Sequence, residues 1–166
     1  GEMQNYATIE NQPWKSVITQ ITSIQFGDKV TSVGNNAFNG ATGLTTINWG
    51  GIETIGEYAF NGASSLTRVD FGNSVTTLSK YAFYQCTQLK DITFNKVKFI
   101  KENVFAETTT LETIGLPANI EEIHDNSFQN SNVSKVSFEG LTEPRICSDI
   151  SFDNDFEKVL VPEEYN

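Results

Sequence analysis

One histidine, two cysteines and one short run of oxygen-bearing side chains are what this 166-residue chain offers to chemistry. His124 is the single histidine and has no aligned nucleophile, so a catalytic triad finds no support. Cys86, Cys147 and a single His do not assemble the usual tetrahedral zinc ligands. Asp153-Asn154-Asp155-Phe156-Glu157 alternates oxygen ligands of the kind calcium takes. It lacks the bending Gly and the spacing to a closing Glu, and reads as a solvated acidic loop. Asn132-Val133-Ser134 is a glycosylation acceptor by letter, of consequence only in a eukaryotic secretory host. No catalytic residue, metal or cofactor is expected, and the chain reads as a non-enzyme.

The remaining candidates are surfaces. One is a strand face with Gln25, Asn48, Asp70 and Thr93 in one column and Arg68 and Asp91 in the next. Hydrogen-bonding side chains in register suit a glycan or an extended protein segment; the plainer reading is a solvated sheet with Arg68 paired to Asp91 or Asp70. The other is aromatic: Tyr58, Tyr81, Tyr84 and Phe99, rings that can stack on sugars or anchor a partner. The plainer reading there is packing flat along a turn, with Phe99 filling a gap beside Lys96 and Lys98.

What must position these residues is a repeat. Apolar residues open units at Val30, Ile52, Val75, Val97 and Ile120, steps of 22 or 23. Three positions on stand Val33, Ile55, Leu78, Ile100 and Ile123. Eight on stand Phe38, Phe60, Phe83, Phe105 and Phe128. Fourteen on stand Leu44, Leu66, Leu89 and Leu111, with Val133 after a one-residue deletion. Apolar-x-apolar pairs such as Val69-Asp70-Phe71 have period 2, a strand with two inward side chains. A unit of this length matches the leucine-rich class. One unit cannot bury its own apolar face, so units stack, with like residues about 5 Å apart along the axis. Ten of the twelve Phe then take inward slots, Phe26, Phe94, Phe138 and Phe152 among them.

The spacing predicts a right-handed α/β-type leucine-rich-repeat solenoid of short parallel strands and short helical or 3₁₀ turns. Gly40 and Gly62 supply positive φ after the Phe; Gln85 and Glu107 in that slot suggest a turn geometry that varies between coils. Residues 1–12 read as a loosely ordered segment. Residues 13–29 form an N-terminal cap with the first strand, Trp14, Val17 and Ile18 covering the core. Five repeats occupy 30–140. Residues 141–166 form a degenerate terminal repeat, with Val159 and Val161 adding a last strand before a cut-short ending. His124 falls in a slot also held by Gly34, Gly56, Ser79 and Lys101, an exposed turn position. Cys86 falls in a small-residue slot beside Ala41 and Ala63, a buried inert thiol. Cys147 lies more than two coils away, past the roughly 7 Å Cα limit of a disulfide.

A net charge of −10 argues against nucleic acid and anionic lipid as partners. No apolar run approaches the roughly 20 residues of a membrane span. Gly1 in place of an initiator Met reads as a trimmed start, so a missing leader says nothing of the compartment.

VTSVGNNAFNGATGLTTINW, IETIGEYAFNGASSLTRVDF and VTTLSKYAFYQCTQLKDITF resemble the BspA-like leucine-rich-repeat family of bacterial and protist surface proteins. PWKSVITQITSIQFGDKVTSVG is similar to its Trp-containing start, and LTEPRICSDISF followed by VLVPEEY to its usual ending. Of the Cys often found three residues after the Phe, only Cys86 is kept. The resemblance implies a secreted or surface-anchored adhesion module that binds host or matrix protein, or glycan. It supplies no catalytic or binding signature to carry over. Two other readings stand beside it: a structural spacer, and an accessory module of a larger secreted, glycan-degrading protein.

Overall fold

The computed structural model describes residues 1–140 and, as backbone strands, Arg145–Ile146 and Lys158–Leu160. Each coil contributes two short strands. The odd-numbered set is β1 (Ser23–Gln25), β3 (Thr46–Asn48), β5 (Arg68–Asp70), β7 (Asp91–Thr93), β9 (Thr113–Leu116), β11 (Lys135–Phe138) and β13 (Lys158–Leu160). The even-numbered set is β2 (Ser32–Val33), β4 (Thr54–Ile55), β6 (Thr77–Leu78), β8 (Phe99–Ile100), β10 (Glu122–Ile123) and β12 (Arg145–Ile146). All pairing is parallel, one coil to the next, as the repeat predicts. The even set makes one six-stranded sheet. The odd set is divided into β1-β3, β5-β7 and β9-β11-β13. The last strand expected around Val159 is present, with Val159 beside Val136.

Stacking like on like places the rings in file. Trp14, Phe38, Phe60, Phe83, Phe105 and Phe128 lie face to face, with successive centroids 5.0, 5.5, 5.2, 5.7 and 5.4 Å apart and planes within 17°. Phe26, Trp49, Phe71 and Phe94 form a second file at 6.1, 5.5 and 6.0 Å. The files meet edge to face, as at Trp49–Phe60 and Phe94–Phe105, the offset that ring quadrupoles favour. Val33, Ile55, Leu78, Ile100 and Ile123 are at most 1% exposed. Phe138 is half-buried. Phe152, Cys147, the 153–157 acidic run and most of the expected terminal repeat lie outside the described residues.

The segments before each Phe differ from expectation. They are hydrogen-bonded turns; among the described residues, 3₁₀ structure is confined to Ile9–Asn11 and Lys15–Gln20. Two left-handed residues in each of these turns interrupt any right-handed run. The first is Asn36, Tyr58, Tyr81, Asn103 and Asn126, with φ between 55° and 57°. The second is Gly40, Gly62, Gln85, Glu107 and Asn130, with φ between 54° and 85°. Gln85 and Glu107 therefore keep the glycine geometry, and the turns are uniform.

That uniformity has a backbone cause. With left-handed residues at the first and last of five positions, the N–H groups of the first, third and fifth all point to the next coil. Tyr58 N–H donates to Lys80 O at 3.1 Å, Phe60 N–H to Ala82 O at 2.8 Å and Gly62 N–H to Tyr84 O at 2.8 Å. The same three bonds recur from Asn36 to Glu107, a ladder on the turn side that no side-chain pattern announces.

At the front of that ladder, the carbonyls of Asn35, Ala37 and Asn39 have no preceding coil to satisfy them. Tyr6 N–H donates to Asn35 O at 2.9 Å, Trp14 Nε1 to Ala37 O at 2.6 Å and Gln12 Nε2 to Asn39 O at 3.2 Å. Trp14 thus replaces both the missing ring and the missing backbone donor. Residues 1–12, expected to be loosely held, are docked: Glu2 bridges Ser32 in parallel, Met3 N–H donates to Ser32 O and Thr31 N–H to Gly1 O. An uncovered edge leaves backbone groups without partners, and this segment supplies them. Of the expected cap residues, Ile18 packs against the core, whereas Val17 is 44% exposed and covers nothing.

Candidate binding surfaces

The odd-numbered strands present the expected columns. Ser23 lies in register with Thr46 and Gln25 with Asn48; Arg68 with Asp91 and Asp70 with Thr93; Lys135 with Thr113 and Ser137 with Gly115. Gln25, Asn48, Arg68, Asp70 and Asp91 are exposed and Thr93 is half-buried. The face is interrupted, however. No ladder joins β3 to β5 or β7 to β9. Depressions lie at both breaks, the first with a mainly apolar lining and the second with a mainly polar one. One of about 420 Å³ is lined by Thr46, Asn48, Trp49, Asp70 and Asn73 among others. The second, about 490 Å³, is lined by Lys90, Asp91, Glu112, Thr113 and Asn132 among others. The buried Trp49 indole N–H beside the first break has no hydrogen-bond partner.

The six strand-face candidates do not have equal roles. Asp70 Oδ1 accepts from Gly72 N–H at 3.0 Å and Asn95 Nδ2 at 2.6 Å, bracing a turn whose glycine has φ of 62°. Asn48 Oδ1 accepts from Gly50 N–H at 3.2 Å in the same way one coil earlier. Arg68 does not pair with Asp70 or Asp91; among the described residues neither Arg68 nor Asp91 makes a side-chain hydrogen bond or ion pair. Gln25 and Thr93 likewise make none, so of the six only Asp70 and Asn48 brace a turn through their side chains.

On the turn side, Tyr58 and Tyr81 stack with centroids 4.7 Å apart and planes 4° from parallel, and Tyr84 meets Tyr81 edge on at 5.5 Å. All three are half-buried. Burial first, then the neighbouring Tyr81 and Glu57, pushes the Tyr58 hydroxyl above its ordinary pKa. Phe99, expected in one patch with them, is not there: it sits on β8 between Thr77 and Glu122, with the Lys101 ammonium 5.3 Å from its ring centroid. Among the described residues no ring contact joins it to the three tyrosines, which lie on the turn while Phe99 lies on the even-numbered sheet.

His124 is not the exposed turn residue expected. It is half-buried, with Nε2 3.2 Å from Glu122 Oε2 and 3.1 Å from Lys101 Nζ, and with Nδ1 4.0 Å from Glu102 Oε2. Hydrogen bonds from His124 and Lys101 hold the Glu122 carboxyl below its ordinary pKa. At Glu102 burial pushes upward, but the hydrogen bond and charge of Lys80 outweigh it, and the net direction is down. The signal available in the sequence was charge alternating one unit apart: Lys80 lies 2.9 Å from Glu102 and Lys98 lies 2.8 Å from Glu121. The group holds coils together and has no nucleophile. Cys86 is fully buried, and burial raises its thiol pKa to about 12. Among the described residues, no three His, Cys, Asp or Glu side chains gather to hold a metal ion. No helix among them is long and apolar enough to cross a membrane.

A parallel-strand solenoid whose functional candidates are surfaces belongs with the leucine-rich-repeat proteins. The model for the BspA type leucine rich repeat region matches residues 7–139 in six copies, and the chain belongs to that family. Its repeats mark an interaction or surface module. A leucine-rich-repeat protein of T. pallidum is 26% identical with a TM-score of 0.64; the match covers 72% of this chain and 61% of that one. A leucine rich cell surface protein of Faecalibacterium prausnitzii is 25% identical with a TM-score of 0.71, covering 85% of this chain and 39% of that one. A leucine-rich-repeat protein of Eubacterium ventriosum, 21% identical with a TM-score of 0.55, shares the fold; the match covers 99% of this chain and 38% of that one. The chain thus spans less than two thirds of each of these structures. No curated protein matches it.

Proposed function

We propose that the chain is a non-enzymatic binding module of a secreted or cell-surface protein, recognising a host or matrix protein or a glycan through its strand face. One observation carries this reading: the strand ladder is split at β3/β5 and β7/β9, and depressions open at both breaks beside residues in register, one mainly apolar around Trp49 and one mainly polar around Asp91. A sheet built for rigidity alone has no use for two such breaks, whereas strand groups without a ladder partner offer donors and acceptors to an extended ligand. The likeness to a leucine rich cell surface protein supports the location.

Arg68 and Asp91 make the test clean because neither braces the fold. On arrays of matrix proteins and glycans probed with the intact chain and with Arg68→Ala/Asp91→Ala, the double variant should lose at least the matrix-protein and charged-glycan hits at unchanged Tm. Equal binding by the variant removes this face as the site. Silence of every array favours the spacer reading.

A further inference from the structure

We infer that the turn face carries a second site, a neutral-glycan platform made of Tyr58, Tyr81 and Tyr84 with the amides of Asn36, Asn39 and Asn61. It goes beyond the strand-face reading and does not depend on it.

The first left-handed column poses the question. Five coils place Asn, Tyr, Tyr, Asn and Asn there, all with φ between 55° and 57°. Asn adopts that region readily because its short amide bonds locally. A bulky ring in the same conformation is an outlier, and such outliers cluster at functional sites. The two outliers here are adjacent, stacked and half-buried on the outer side of the turn. Folding does not require a ring there, since three coils of five do without one.

The chemistry around the rings points to sugar. Tyr81 covers one face of Tyr58, so the other face looks toward the preceding coil, where Asn36 takes the place of a ring. On that side runs a chain of oriented amides. Asn61 Nδ2 donates to Asn39 Oδ1 at 3.0 Å, Asn39 Nδ2 to Asn36 Oδ1 at 2.9 Å and Asn36 Nδ2 to Tyr6 O at 2.9 Å. An aromatic face receives the C–H side of a pyranose, while fixed amides and phenolic hydroxyls address its hydroxyl groups. A protein partner would want apolar anchors, and among the described residues the exposed large hydrophobics are Ile9 and Val17. The near cation, Lys80, is bound to Glu102, so the site has no free positive charge for an anionic polymer. A neutral saccharide fits what is left.

The column supplies its own control. Tyr58→Asn/Tyr81→Asn installs the residue that the other three coils already use at this φ, so the fold is kept. Binding is measured by titration calorimetry and by ultraviolet difference spectra of tyrosine against cellohexaose, xylohexaose, mannohexaose and N-acetylchitohexaose. The expected result is binding of at least one of them with a tyrosine difference spectrum. The double variant should weaken it roughly tenfold or more while its Tm is unchanged or higher. Arg68→Ala/Asp91→Ala should leave that binding intact, which separates this site from the strand face. The inference is overturned if none of the four binds, if the tyrosine variant binds as well as the parent, or if its Tm falls by several degrees. The last result would make the ring pair a brace. Loss of saccharide binding in the Arg68/Asp91 variant alone would move the site to the strand face.

Discussion

The turn face and the strand face are built by the same coils with the same rise, yet they solve the backbone problem differently. On the turn face three hydrogen bonds per coil run without interruption from Asn36 to Glu107. On the strand face the ladder stops at β3/β5 and again at β7/β9. The turn ladder depends on two left-handed residues per coil, a fixed local geometry that each unit brings with it. The strand ladder depends on neighbouring strands lying close enough, a property of the pair. A solenoid can therefore open depressions on one side while the other side and the ring file between them hold the coils in register.

The comparison breaks most visibly if the ring file is not what holds both faces. Phe83 is fully buried between Phe60 and Phe105 and meets Phe71 edge on. Phe83→Ala is expected to cost about 3–5 kcal/mol in chemical denaturation; a loss under about 1 kcal/mol would contradict stacking. Next in size is the cap of the turn ladder. Trp14→Phe keeps a ring over Phe38 but removes the donor to Ala37 O. That leaves a carbonyl unsatisfied, at about 1–3 kcal/mol, and amide exchange should quicken first in the front coil. If Trp14→Phe is neutral, the cap is a ring alone.

Smaller is the strain in the turn ladder itself. Gln85 holds φ of 57° where other coils use Gly. Gln85→Gly should raise stability by about 0.5–1 kcal/mol, and a loss would show that the Gln side chain matters more than its backbone. Acid sharpens the comparison on a third side. Glu102 and Glu122 are held below their ordinary value of 4.5. Their contribution is full above about pH 4.5 and is lost as pH falls through the lower folded-state values. Tm followed from pH 7 to 3 should drop less steeply for Glu102→Gln than for the parent; identical slopes would show that the intercoil ion group adds nothing. Smallest is a null effect: Cys86, with its thiol at about 12 and no exposure, should resist thiol reagents in the folded chain and react once unfolded.

Much of the architecture was legible because stacking converts sequence distance into spatial adjacency. Phe38, Phe60, Phe83, Phe105 and Phe128 had to superpose once the period was seen, and Tyr58 had to meet Tyr81. The exposed columns Gln25–Asn48 and Arg68–Asp91 follow from the same rule. The misses share a cause as well. The slot of Phe99 says that its ring is not in the core, but period alone does not say that β8 holds it apart from the tyrosines of the turn. The slot of His124 tolerates many residues and so suggests exposure, while its partners Glu122, Lys101 and Glu102 come from two coils and two strand ends. Residues 1–12 carry no repeat signal, so their docking could not be read from period.

The sequence by itself determined the coil, its ring files and its outward columns, since these depend only on which side chains recur at a fixed interval. Tertiary structure alone decided where the strand ladder breaks, that Gln85 and Glu107 turn left-handed like glycine, and that Trp14 donates to Ala37. Those depend on backbone angles and on contacts with a neighbouring coil, and residue type constrains both only loosely.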